Sequence, residues 1–162
     1  MKIIITTITS LLIFICTECH AQAQSIFFEI GGPGLASINY DMRFQKTEAG
    51  FGGRIGVGGF SISDGYGKAS AVFIPIGVNY LLGKDERNYF EIGGGITPVF
   101  LSGKNSDNTS SDNFTSTFGH LNFGYRLQPK NGGFLFRAAM VPVFGKGYFI
   151  PYYFGLSFGY KF

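Results

Sequence analysis

The sequence predicts an all-β protein, an eight-stranded antiparallel up-and-down transmembrane β-barrel. Three observations carry that expectation. Behind an N-terminal export segment, eight runs alternate apolar and polar residues with the period of a strand. The apolar face of these runs is too aromatic to leave in water, while the other face holds the charge and much of the glycine. The connections divide into short turns on one side and heterogeneous loops on the other, the arrangement of outer-membrane barrels.

The chain has 162 residues, enough for one domain. Charged residues make up 14% of it, against ~25% in a typical soluble domain, and aromatics reach 17% with no Trp at all. Such a balance suits a chain solvated by lipid. The net charge of +3 is scattered, with no Lys/Arg cluster, which excludes a nucleic-acid partner.

Residues 1–23 read as a cleaved signal peptide. Lys2 is the positive start, Ile3 to Cys16 is an apolar or Thr/Ser run, and Ala21-Gln22-Ala23 is a small-x-small cleavage site. The run is shorter than the ~20 residues a spanning helix needs. Cleavage after Ala21 or Ala23 removes both Cys16 and Cys19. The barrel domain, residues 24–162, is then free of disulfides and thiol chemistry.

The eight runs fall at roughly 25–31, 35–44, 51–60, 69–82, 88–101, 115–127, 133–144 and 150–162. The first places Glu29 opposite Phe28 and Ile30. In the second, Ile38, Tyr40, Met42 and Phe44 oppose Ser37, Asn39, Asp41 and Arg43. The third groups Arg54 with Gly52, Gly56 and Gly58. The fourth contains Pro75 near its middle, where a bulge is expected because proline removes a ladder hydrogen bond. The fifth sets Phe90, Ile92, Ile96 and Phe100 against Glu91, Gly93, Gly95 and Thr97. In the sixth, Leu121, Phe123, Tyr125 and Leu127 oppose His120, Asn122, Gly124 and Arg126. The seventh sets Arg137 against Phe134, Phe136, Ala138 and Met140. The eighth alternates Tyr152, Phe154, Leu156, Phe158, Tyr160 and Phe162 with Tyr153, Gly155, Ser157, Gly159 and Lys161. It must pair with the first run, near Phe28 and Ile30, because unpaired edge amides in hydrocarbon each cost several kcal/mol.

With the N-terminus periplasmic, 45–50, 83–87 and 128–132 are the short periplasmic turns. On the other side lie a tight turn at 31–34, a medium loop at 61–67, a long hydrophilic loop at 102–113 and a short turn at 145–147. The loop at 102–113 is the expected contact surface. Pro98, Pro142 and Pro151 all fall near the loop-side ends of their runs.

Eight staves leave an interior that side chains just fill. The ionisable groups expected there are Glu29, Asp41, Glu91, Arg43, Arg54, Arg126 and Arg137, with His120 among them and Lys161 near the periplasmic rim. Buried charges must be paired, and guanidinium groups hold carboxylates in two-pronged fashion. A structural network is the expected role, and a small gated pore is the alternative.

His120 is the one histidine behind the signal segment, hence the one plausible general base. Its face carries Asn122, and Ser157 on a more distant strand is a conceivable partner. Metal binding lacks a second His or Cys. The glycines of 52–59 lack the strand–helix context of a dinucleotide loop, so no cofactor is expected. In size the chain resembles the outer-membrane lipid A deacylases, which implies lipid A modification as an alternative activity. Those enzymes place a His and a Ser two apart on an outward rim with an acidic partner. Here Asn122 stands in the Ser position and His120 is expected to face inward.

The tail Phe154-Gly-Leu-Ser-Phe-Gly-Tyr-Lys-Phe162 resembles the C-terminal signal read by the outer-membrane assembly machinery, which implies that Phe154, Phe158, Tyr160 and Phe162 are recognised during insertion. Residues 74–83, 90–97, 124–129 and 132–137 resemble a family of small, functionally uncharacterised outer-membrane barrels of Bacteroidota-type bacteria. That resemblance implies a Gram-negative outer-membrane location among lipid and lipopolysaccharide, and it brings no catalytic residues. The expected function is a structural or surface-interaction role without enzymatic activity; an extracellular ligand is not specified.

Overall fold

The structure, a computed structural model, describes residues 22–64, 67–105 and 111–162. The expected signal segment lies outside the described residues except for its last two positions. Alternating sequence becomes strand throughout: β1 (Gln24–Gly31), β2 (Ala36–Arg43), β3 (Gly50–Asp64), β4 (Gly67–Phe73), β5 (Ile76–Leu82), β6 (Asn88–Asn105), β7 (Ser111–Leu127), β8 (Gly133–Met140), β9 (Val143–Gly145), β10 (Tyr148–Ile150) and β11 (Phe154–Lys161). These segments make eight staves, because β4 with β5, β8 with β9, and β10 with β11 are single staves interrupted at Pro75, Pro142 and Pro151.

The staves pair antiparallel with their chain neighbours, and β11 pairs back onto β1 to close the ring. At that seam Phe28 faces Phe158 and Ile30 faces Leu156. Phe162 itself sits beside Gln24, donating its N–H to the Gln24 carbonyl at 2.9 Å. The last stave thus pairs with the first at Phe28 and Ile30 as expected, through Phe158 and Leu156, with Phe162 at the far end of the same seam.

The prolines behave differently from one another. Across Pro75 the register does not change: β3 pairs Gly58 with Phe73 and, below the break, Ile55 with Ile76. The Pro75 carbonyl accepts the Gly56 N–H at 2.8 Å, and the Ile74 N–H reaches the Pro98 carbonyl at 3.0 Å. The expected bulge is absent there, since proline loses only its own donor. A bulge occurs instead on the last stave. Ile150 pairs with Val143, but the Val141 N–H bonds the Tyr153 carbonyl at 2.6 Å. Pro151 and Tyr152 thus stand opposite the single Pro142, one extra residue that inverts the alternation above it.

The described residues of two expected loops, 61–67 and 102–113, prove to be strand. β3 and β4 pair up to Asp64 with Gly67, and β6 and β7 up to Lys104 with Ser111. Beyond the apolar belt a strand needs no hydrophobic alternation, and the Ser- and Thr-rich sequence keeps extended backbone and its ladder hydrogen bonds. β3, β4, β6 and β7 therefore rise as a tall wall on one side. Opposite, the chain turns low in a buried 3-10 turn, Gly32–Gly34.

The two faces are unlike. Outside, Ile26, Phe28, Ile38, Phe51, Ile55, Val78, Phe90, Phe134 and Phe158 are all exposed. Phe136 stacks between Tyr125 and Phe158, with ring centroids 6.5 and 5.4 Å away. Inside, Ser, Asn, Asp, Glu and Arg are buried. An apolar cluster of Ala71, Phe73 and Val99, joined by Phe118, lies above them at the loop end.

Candidate functional site

The candidate site is the charged interior. Strand alternation delivers Glu29 from β1, Asp41 and Arg43 from β2, Arg54 from β3, Glu91 from β6, Arg126 from β7 and Arg137 from β8 to one lumen, each at most 6% exposed. Glycine makes the room. A Cβ on Gly52 would collide with the Arg43 guanidinium, and one on Gly32 would come 2.6 Å from the Glu29 carboxyl carbon.

The seven groups form a chain in which the sign alternates. It runs Arg43–Asp41 (2.7 Å), Asp41–Arg126 (2.8 Å), Arg126–Glu91 (3.5 Å), Glu91–Arg137 (2.6 Å), Arg137–Glu29 (3.6 Å) and Glu29–Arg54 (2.6 Å). Arginine ends the chain at both sides, so four guanidinium groups meet three carboxylates. Neutral side chains complete it. Asn79 donates to Asp41 at 2.6 Å and accepts from Arg43. Asn122 donates to Glu91 at 3.0 Å, Ser157 to Glu29 at 3.3 Å, and Arg54 to Asn39 at 3.0 Å. The Phe27 ring lies between Arg54 and Arg137, whose guanidinium carbons stand 5.6 and 4.6 Å from its centroid. Buried this deeply, each charge is expensive unless paired, and here each contacts at least one opposite charge.

His120 is inside and 2% exposed, apart from this chain. Its Nδ1 is 3.3 Å from Thr97 Oγ1. Ser157, the conceivable partner, instead bonds Glu29 and approaches Arg137. Among the described residues no group of three or more His, Cys, Asp or Glu side chains gathers to hold a metal.

At the terminal end a second cluster closes the lumen. Lys161 Nζ is 2.7 Å from Glu48 Oε1 and also donates to the Lys130 carbonyl. Gln128 donates to Glu48 at 2.8 Å. Sequence reasoning left out Glu48, a turn residue folded under the barrel, and Asn79. Alternation gave a signal for Asn79, which shares its face with Ala71, Phe73 and Leu81. No comparable signal exists for Glu48. The terminal set Phe154, Phe158, Tyr160 and Phe162 lies on the outer face, between 44% and 61% exposed.

No protein-family model matches the sequence, and no curated protein matches it either. Solved structures do share its architecture. The N-terminal β-barrel domain of Pseudomonas aeruginosa OprF matches with a TM-score of 0.60 at 14% identity, over 87% of this chain and 96% of that one. Ail, the attachment invasion locus protein of Yersinia pestis, matches with a TM-score of 0.54 at 10% identity, over 87% and 96%. Ail in complex with the heparin analogue sucrose octasulfate matches with a TM-score of 0.53 at 15% identity, over 87% and 99%. At such identities the likeness establishes the eight-stranded barrel fold.

Proposed function

We propose that the chain is an integral outer-membrane barrel of a Gram-negative bacterium, with a structural and surface-contact role and no catalytic step. Residues 1–23 act as its cleaved signal peptide and 24–162 as its membrane domain. One observation carries this reading: a closed ring of staves keeps its charges inside and its large hydrophobes outside. Water would not tolerate that outer surface, and lipid accepts it because the strands close into a ring whose ladder hydrogen bonds pair the backbone along the staves.

Outer-membrane lipid and lipopolysaccharide cover the belt, and the assembly machinery engages Phe154, Phe158, Tyr160 and Phe162 during insertion. The alternating ion-pair chain supports a plug in preference to a pore, because Asp41–Arg126 and Glu91–Arg137 join non-adjacent staves across the lumen. The Thr97 contact and inward burial of His120 support a structural histidine in preference to a general base. The tall hairpin of β6 and β7 presents the surface for contact with other molecules.

Cell fractionation combined with gel mobility before and after boiling tests the reading. A folded barrel migrates differently until boiled and stays with the outer membrane. Recovery in the soluble periplasm without detergent, as a band insensitive to heat, would overturn it.

A further inference from the structure

Above the ion-pair chain the loop end encloses a cup of about 250 Å³. Pro33 and Leu35 of the low turn and Tyr148 and Ile150 of the neighbouring β10 line one side, and Phe73 and Phe118 the back. No charged side chain lines it. The bulge at Pro151 and Tyr152 creates this lining. By simple alternation from Phe154, Ile150 would face outward; the extra residue turns it toward Val143 and the axis.

The cup also has a side entrance. Among the described residues β10 pairs with β9 alone, so the seam between β10 and the Gly32–Gly34 turn carries no ladder. Both lips are apolar and open, Leu35 at 39% exposure and Ile150 at 49%. Beside them Phe149 and Phe154 belong to the outward belt, at 63% and 61%. The cup is therefore continuous with the lipid-facing surface. Below, Gly32 rests on the Glu29 carboxylate, which is held by Arg54 at 2.6 Å, and the polar interior begins.

We propose that this cup takes the end of one acyl chain from an outer-leaflet lipid, entering sideways through the seam; this rests on the outer-membrane reading above. The occupant follows from the chemistry. The cup exceeds the ~150 Å³ apolar cavity that holds a benzene ring, yet falls below the ~300–1,000 Å³ of sites for drug-sized ligands. A single flexible hydrocarbon chain fits such a volume. With no cation in the lining, recognition is of the tail, and the headgroup stays outside in the interface.

The test uses the refolded barrel in phospholipid nanodiscs whose lipids are protonated only on their acyl chains, with Val, Leu and Ile methyls labelled in the protein. Cross-peaks from lipid chain to the methyls of Val78, a belt residue 58% exposed, report insertion. Cross-peaks to Val143, 7% exposed and turned to the cup, report the chain within it. Both sets are expected. Ile150→Glu, placed on the exposed lip so that folding is unaffected, should cut the Val143 set about tenfold and spare the Val78 set. Cross-peaks at Val78 but none at Val143, water cross-peaks at Val143 in their place, or a Val143 set unchanged by Ile150→Glu would each overturn the proposal. Absence of both sets would overturn the membrane reading, and the proposal with it.

Discussion

Arg137 and Glu91 make a two-pronged ion pair in the barrel interior, with Arg137 Nε 2.9 Å from Glu91 Oε2 and Nη2 2.6 Å from Oε1. Arg137 also lies 3.6 Å from Glu29, so one guanidinium serves two buried carboxylates. Removing it leaves both acids short of a counter-charge in a medium that solvates them poorly. Arg137→Ala should therefore lose about 3–5 kcal/mol of stability. The exposed pair Lys130–Glu86, at 2.6 Å, is the control; Lys130→Ala should lose less than about 1 kcal/mol. Urea unfolding of the barrel refolded in lipid vesicles measures both.

Gly52 faces the lumen beneath the Arg43 guanidinium. Gly52→Leu would force Arg43 away from both Asp41 and Asn79 and overpack a filled interior, at a cost of about 1–3 kcal/mol. The heat-modifiable gel form should appear at lower urea midpoint than in the wild type. An unchanged midpoint would show that the interior has slack.

Deletion of Phe162 should impair assembly more than the stability of the finished barrel. The residue closes the last rung of the seam with Gln24 and stands 55% exposed on the outer face. Quantitative blotting of outer-membrane fractions reads the effect. Normal levels of the truncated protein would contradict it.

Planar bilayers should record no steady conductance from the wild-type barrel, because the ion-pair chain crosses its lumen between β2 and β7, through Asp41 and Arg126, and between β6 and β8, through Glu91 and Arg137. Glu91→Ala combined with Arg137→Ala removes the middle of that chain and should give measurable current. Steady current from the wild-type barrel would speak for a pore.

The turn after β5 carries a titrating group. The Asp85 carboxylate accepts the Asn88 side-chain amide at 2.5 Å, the Asn88 N–H at 2.7 Å and the Arg87 N–H at 3.2 Å. The side-chain bond from Asn88 comes first among the causes that hold its pKa below the ordinary aspartate value. A carboxyl with a lowered pKa contributes its full stabilisation above the unfolded value and loses it as pH falls through the folded one. The Asn88 amide shift, followed by NMR, should accordingly keep its neutral-pH position until the solution is more acidic than the ordinary aspartate midpoint. Asp85→Asn should abolish that acid titration.

Much of the fold was legible because period-two alternation needs only one strand to be read. Asp41 with Arg43, and His120 with Arg126, reveal their face without reference to any neighbour. What alternation cannot state is register, which belongs to two strands at once. The bulge at Pro151 and Tyr152 is visible only against Val141 and Val143, so the inward turn of Ile150 stayed hidden. The order of the ion-pair chain likewise depends on which staves face each other across the lumen. The extended hairpins escaped for another reason. Hydrophobic alternation reports the solvent on each face, and once both faces leave the lipid, Ser, Thr and Asn residues in a strand look like those of a loop. Glu48 was missed because a turn residue's direction is set by the lysine it meets, here Lys161 from the other end of the chain.

The single extra residue opposite Pro142 has a genetic consequence. Rejection of polar residues along the last stave should oscillate with chain position up to Tyr153, even sites strict because they face the belt and odd sites limited only by room, which Gly159 lacks. Above Tyr152 the oscillation should reappear with its phase reversed. A one-codon deletion at Pro151 or Tyr152 would restore a single phase by removing the bulge, and would leave Ile150 opposite Val143, still facing the mouth. The lining of the mouth would thus outlast the loss of the residue that reverses the phase.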